Sequence, residues 1–194
     1  MTPFTTLAAR AVALDRTNID TDQIIPARFL RRPRSDGYMN FLFHDMPDVR
    51  AAVLGAGVIL AGGNFGCGSS REGAVYALVD AGIRCVIAPS FGDIFAGNAS
   101  KNGLLLLRFA EAESGPLRAA LGGGDDVTVD LPAQRVTGPD SVSLSFEIDP
   151  FRKRMLLDGL DDIGMTLAET PALEAWSRLD ASARPWAAPG LAIA

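Results

Sequence analysis

The stretch with the most chemical potential is Gly62-Gly63-Asn64-Phe65-Gly66-Cys67-Gly68-Ser69-Ser70-Arg71-Glu72. It sets four glycines, two hydroxyls and an arginine between a short apolar run and an amphipathic segment. A helix N-terminus offers unpaired backbone N–H groups and a positive dipole end to anions. Arg71 adds a planar fork that stays charged and can grip a carboxylate through two parallel hydrogen bonds. A carboxylate or phosphate site follows from these properties. The spacing is neither that of a Walker loop, which ends in Gly-Lys-Ser/Thr, nor that of the three-glycine dinucleotide fingerprint. The plainer alternative is a tight turn with a capping serine, since Ser69 and Glu72 have the spacing of a capping box.

Other reactive residues carry structural readings. Cys67 lies inside the glycine stretch, yet no histidine is near it in sequence, so it reads as a small buried thiol. His44, between Phe43 and Asp45, reads as a surface or packing residue. Asp20 and Asp22 have a spacing that metal sites use, but one carboxylate pair reads as loop anchoring. The run Arg28, Arg31, Arg32, Arg34 reads as a solvated loop.

The elements that must position these residues are partly legible. Thr5–Leu14 reads as a strand, followed by the polar segment Asp15–Asp22. Beyond Gly57, apolar runs at Val58–Ala61, Ile83–Ala88 and Leu104–Leu107 alternate with segments long enough to cross back as helices. The first crossover is the best defined, with Ala74, Ala77, Leu78 and Ala81 on one face and Gly82 as its stop. Parallel strands joined this way need a covered sheet, which predicts an α/β layered fold. After a turn at Gly122–Gly124, Val127–Leu131 and Ser141–Ile148 read as added antiparallel strands. Asp149-Pro150 opens a helix that ends at Gly159, and Thr170-Pro171 opens another. One domain is expected over residues 1–181, with residues 182–194 as a loose tail.

Composition narrows the function. Eighteen basic residues stand against twenty-three acidic ones, giving a formal net charge of −5. Nothing in that balance favours nucleic acid. Ala51–Ser70 is uncharged but too rich in glycine to span a membrane, and no basic segment precedes an apolar run at the start. A cytoplasmic protein is expected. Two cysteines and one histidine cannot build a zinc cluster, and an iron–sulfur cluster needs three or four thiolates.

The segment Asn64–Glu72 resembles the signature of the aconitase superfamily's swivelling domain, in the form used by small subunits of bacterial 3-isopropylmalate dehydratases. Three further blocks agree: Asn18–Pro26; Pro89-Ser90-Phe91 with Asp93-Ile94-Phe95 and Lys101–Leu105; and Ile148–Phe151 with Gly159–Leu167. The resemblance covers nearly the whole chain. It implies a three-layer β/β/α swivelling domain with a mostly parallel central sheet, acting in a heterodimer. The cofactor, a [4Fe–4S] cluster, would sit on a large partner subunit and not on this chain.

The activity so implied is interconversion of 2-isopropylmalate and 3-isopropylmalate by loss and re-addition of water. Ser69 would be the base, Ser70 its neighbour at the substrate and Arg71 the carboxylate clamp. An adjacent guanidinium and a helix N-terminus both favour the serine anion. Phe29 and Leu30 would face the isopropyl group. Two positions depart from the resemblance: after Leu105 the chain runs on as Leu106-Leu107-Arg108 where a proline is usual, which reads as neutral, and Gly73 stands where a histidine is usual, which bears on activity. A paralogue acting on a methylmalate- or homoaconitate-type substrate, or an anion-binding module without activity, are the alternatives this leaves.

Overall fold

In the computed structural model, which describes residues 1–121 and 125–187, the apolar runs are strands of one sheet. β1 (Thr6–Ala13), β2 (Val58–Leu60), β3 (Cys85–Ala88) and β4 (Leu105–Arg108) are parallel, in the spatial order β4-β3-β2-β1. The free edge of β1 pairs antiparallel with β5 (Asp126–Asp130), which leads on to β6 (Arg135–Thr137) and β7 (Ser143–Ser145). Between these strands lie α1 (Thr21–Ile24), α2 (Pro47–Val53), α3 (Glu72–Asp80), α4 (Asp93–Lys101), α5 (Glu111–Ala120) and α6 (Pro150–Asp158).

Alternation along the parallel strands divides the core in two. Val58, Leu60, Cys85, Ile87, Leu105 and Leu107 pack with Val127, Val129 and Val136 of the antiparallel strands, which therefore curl over this face. Ile59, Val86 and Ala88 point the other way, against Ala74, Val75 and Leu78 of α3 and Phe95 and Ala99 of α4. The layers are β, β and α, as expected. All four residues of β3 are buried because both of its faces are covered, which is why the run carries no polar residue. From β2 the chain steps outward twice in the same direction. Crossovers of one hand then bring α3 and α4 to the same face.

Local signals set several boundaries. Asp149 accepts the Arg152 N–H at 3.0 Å, Pro150 opens α6, and Gly159 closes it with φ of 68°. The strand expected over Ser141–Ile148 shrinks to β7, and β6 went unforeseen. It has three residues and one buried side chain, Val136, so its pairing with β5 and β7 defines it rather than any pattern of its own. The turn expected at Gly122–Gly124 lies outside the described residues.

Residues Met1–Leu160 form one unit and those from Asp161 onward a second. In the second, Asp161 caps α7 (Asp162–Ala168) by accepting the Gly164 N–H at 2.7 Å. α8 (Thr170–Ala183) begins at the expected Thr170-Pro171 and continues past Ser182, where the tail was expected to start. Residues 188–194 lie outside the described residues. Among the described residues no helix is long and apolar enough to cross a membrane.

Arg118 of α5 fastens the helix to the ends of β1 and β2. It donates to Asp15 Oδ1 at 2.9 Å and to the carbonyl of Ala61, a residue only 1% exposed, at 3.1 Å. Arg118→Met leaves that buried carbonyl unsatisfied and should cost about 1–3 kcal/mol. The urea midpoint should fall with its slope unchanged. An unchanged midpoint would show that the carbonyl needs no partner from α5.

Candidate active site

Past the sheet, the chain after β2 continues between two neighbours. The Gly62 N–H donates to the Arg16 carbonyl (3.0 Å) and the Gly66 N–H to that of Ile19 (2.7 Å) on the side that follows β1. On the side that follows β3, the Phe65 N–H donates to the Ser90 carbonyl (3.0 Å) and the Asn64 N–H to Ser90 Oγ (2.8 Å). Isolated parallel bridges at Asp20–Cys67 and Phe65–Phe91 carry the ladder onward. The glycine stretch is thus an extension of β2 at the carboxyl ends of the strands, where open α/β sheets bind ligands. Gly66 has φ of 72°, and a Cβ there would lie 2.3 Å from the ring of Phe95, itself 2% exposed. Only glycine lets the strand lie this close to α4.

The hydroxyl and arginine residues leave this extension where α3 begins. Ser69 and Ser70 are exposed and Arg71 is half-buried. The capping box expected from Ser69 and Glu72 does not form. Arg71 occupies the N-cap position with an extended backbone and Glu72 is the first helical residue. The reason is tertiary: Thr21 Oγ1 donates to the Ser69 carbonyl at 2.9 Å and holds the chain out of helical geometry there. Glu72 instead accepts from Asn102 Nδ2 at 2.8 Å. No side chain caps α3; the Ala74 N–H donates to the Arg71 carbonyl at 3.1 Å, which leaves those of Glu72 and Gly73 as the first-turn donors that can face an anion.

Arg71 is held by an ion pair to Asp22 through Nη1. Asp22 also accepts the Ala27 N–H at 3.2 Å, which ties Arg71 to the start of the arginine-rich segment. Asp20 caps α1, accepting the Gln23 N–H at 2.7 Å. Both carboxylates anchor loops, and neither Asp22 nor Thr21 could be assigned to the site from sequence, since their partners lie far along the chain. Asp22 and Arg71 are 49 residues apart.

The arginine-rich segment is docked on α3. Arg34 grips Asp80 through Nε (3.1 Å) and Nη2 (2.6 Å), with its guanidinium 4.2 Å from the ring centroid of Tyr76. Arg28 pairs with Asp45, which holds that carboxyl well below its usual range. Burial, with Glu72 close by, pushes the Tyr76 phenol up. Arg28 and Arg34 are exposed, as a solvated loop predicts, and each also has an intramolecular partner that holds the segment in place. Phe29 stacks on Phe41 at 4.3 Å and meets His44 at 4.7 Å, so its ring is engaged within its own segment. Leu30 packs on α3, where a Cβ at Gly73 would lie 2.5 Å from its Cδ2. The side chain expected at position 73 has its place filled by Leu30.

His44 is largely exposed beside Asp45 at 2.9 Å. Cys67 is half-buried, and Cys85 is fully buried within β3, where burial pushes its thiol up and keeps it unreactive. Among the described residues no three His, Cys, Asp or Glu side chains converge to hold a metal, and two distant thiols do not fit an iron–sulfur cluster.

Fold and loop together define a domain of the aconitase C-terminal class. A family model of the aconitase C-terminal domain matches residues 54–112, spanning the glycine stretch, and one described as LeuD_N matches residues 117–150. The 3-isopropylmalate dehydratase small subunit of Rhodopseudomonas palustris (strain TIE-1) is 45% identical over 201 aligned positions, covering 96% of this chain and 100% of the relative. That of Jannaschia sp. (strain CCS1) is 46% identical over 200 positions, with the same coverage. A crystal structure of 3-isopropylmalate dehydratase LeuD from Methanocaldococcus jannaschii superposes with a TM-score of 0.69 at 30% identity, covering 89% of this chain and 99% of that one. The chain belongs to the family of 3-isopropylmalate dehydratase small subunits.

Gly66→Ala tests whether close packing under the loop fixes it. The substitution adds left-handed strain and forces Phe95 aside, and should cost about 1–3 kcal/mol, read by thermal unfolding. A melting temperature matching that of the parent chain would mean the loop is free to lift.

Proposed function

We propose that this chain is the small subunit of a hydro-lyase of leucine biosynthesis that interconverts 2-isopropylmalate and 3-isopropylmalate. One observation carries the reading. In a chain alike along its length to small subunits of that name, exposed Ser69 and Ser70 stand beside an Asp22-held Arg71 at the ends of three parallel strands. In this reading Arg71 donates two parallel hydrogen bonds to a substrate carboxylate, and the Glu72 and Gly73 N–H groups at the start of α3 lie alongside. Ser69, as the alkoxide that the neighbouring guanidinium favours, takes the proton from the carbon next to that carboxylate and becomes a neutral hydroxyl, leaving the electron pair on the substrate. The negative charge that develops then meets donors already in place. Ser70 orients the substrate, and Leu30 with Phe29 borders its apolar substituent.

The reaction also needs a group that takes the leaving hydroxyl. The [4Fe–4S] cluster implied by the family supplies that chemistry from a separate large subunit, because this chain lacks the thiolates for it. The working enzyme is then a heterodimer in the cytoplasm. Isolated, the chain should be colourless and inactive, gaining dehydratase activity when the large subunit is added. Turnover by the chain alone would overturn this division of labour.

Ser69 forms no cap, so Ser69→Ala should change stability by no more than about 0.5 kcal/mol. Turnover of the assembled enzyme should fall by about 10²–10⁴-fold with substrate still bound. Arg71→Lys should mainly raise KM, since a point charge cannot reproduce the two-pronged contact. Thermal melts and steady-state kinetics on the heterodimer separate the effects. Near-normal turnover by Ser69→Ala would remove the serine from the mechanism.

A further inference from the structure

Gly73 is the second residue of α3, and its backbone gives no reason for a glycine. It is absent from the positions with positive φ, and glycine weakens a helix relative to alanine. The reason lies in what fills the missing side chain. A Cβ at Gly73 would stand 2.5 Å from Leu30 Cδ2 and 3.3 Å from Tyr38 Cε2. The end of Leu30 therefore occupies volume that any other residue at 73 would claim.

The two neighbours differ in how far they can yield. Tyr38 is 6% exposed, donates its hydroxyl to the Arg32 carbonyl at 3.0 Å, and sets its ring 6.4 Å from that of Phe41 and 6.3 Å from that of Tyr76. Leu30 is only half-buried, and the atom in contact is the free end of its side chain. A side chain at 73 would displace Leu30 and leave Tyr38 in place. Gly73 also lies two residues from Arg71, on the same turn that presents the clamp.

We propose that Gly73 is a specificity-determining residue, which sets where Leu30 stands and hence how large an apolar substituent at C3 of a 2-hydroxy dicarboxylate the site admits. This rests on the reading of Arg71 and Leu30 as substrate contacts. Gly73 acts through Leu30, without touching substrate. The favoured substrate class is a dicarboxylate whose substituent is branched and apolar, as opposed to one that is small or charged.

The test uses the assembled heterodimer with 3-isopropylmalate and 3-methylmalate as competing substrates. Gly73→Ala should shift the ratio of their kcat/KM values by about tenfold or more, since small changes of fit in an apolar pocket carry discrimination of that order. Leu30→Ala should shift the ratio too, and adding Gly73→Ala to it should move the ratio no further, because the atom in the way is gone. If Gly73→Ala alone fails to assemble, the double variant carries the test. It should assemble and match Leu30→Ala.

A ratio within about twofold of the parent's in Gly73→Ala, or equal shifts with and without Leu30, would overturn the proposal. So would a double variant that fails to assemble or departs from Leu30→Ala. Failure of the underlying reading looks different, because Leu30→Ala would then leave the ratio, and Arg71→Lys the KM, where the parent has them.

Discussion

The site depends on hydrogen bonding that continues after the sheet has ended. From Gly62 to Cys67 the chain is flanked on one side by residues 16–20 and on the other by residues 90–91, with the amides of Gly62 and Gly66 donating to the first and those of Asn64 and Phe65 to the second. Each such bond contributes only about 0.5–1.5 kcal/mol net. Their effect is geometric, because a segment paired on both sides cannot swing as a surface loop does. The glycines are needed for that closeness. The backbone of Arg16 lies over Gly62, the ring of Phe95 lies under Gly66, and neither leaves room for a Cβ.

With this middle strand fixed, the point where Ser69, Ser70 and Arg71 emerge is fixed as well. Thr21 takes the Ser69 carbonyl and delays the helix until Glu72, which leaves Arg71 extended and within reach of Asp22. The Arg71 side chain is 18% exposed and that of Asp22 50%, and an ion pair whose carboxylate is this open to water contributes on the order of 1 kcal/mol or less. Orientation is the better account of this pair than stability. A guanidinium already aimed and partly desolvated loses less freedom on gripping a carboxylate than one waving in solvent.

Residues 27–44 add a second attachment, on a stripe of α3. Gly73, Tyr76 and Asp80 share one helix face and receive Leu30 with Tyr38, Tyr38 with Arg34, and Arg34 in turn. Asp22 reaches the same segment through the Ala27 N–H. Arg71 and Leu30 are therefore positioned by two independent contacts, one polar and one apolar, between the same pair of elements.

The order of the elements was legible in the sequence because it depends on local chemistry. Short apolar runs alternate with amphipathic segments, and Asp149-Pro150 with Gly159 starts and stops α6 through its own side chain, ring and backbone freedom. The reactive set, glycines followed by Ser69, Ser70 and Arg71, was legible for the same reason. The capping box was misread because a side chain from elsewhere, Thr21, claimed the carbonyl that the helix would have used. β6 escaped notice because a three-residue strand has no pattern apart from its partners. The sequence by itself determined which residues could bind a carboxylate and which segments could be helix or strand. Only the tertiary structure decided that Asp22 holds Arg71 and that Leu30 fills the place of a side chain at 73. Those contacts join distant parts of the chain, and which atoms meet there follows from sheet register and helix packing, which no local propensity encodes.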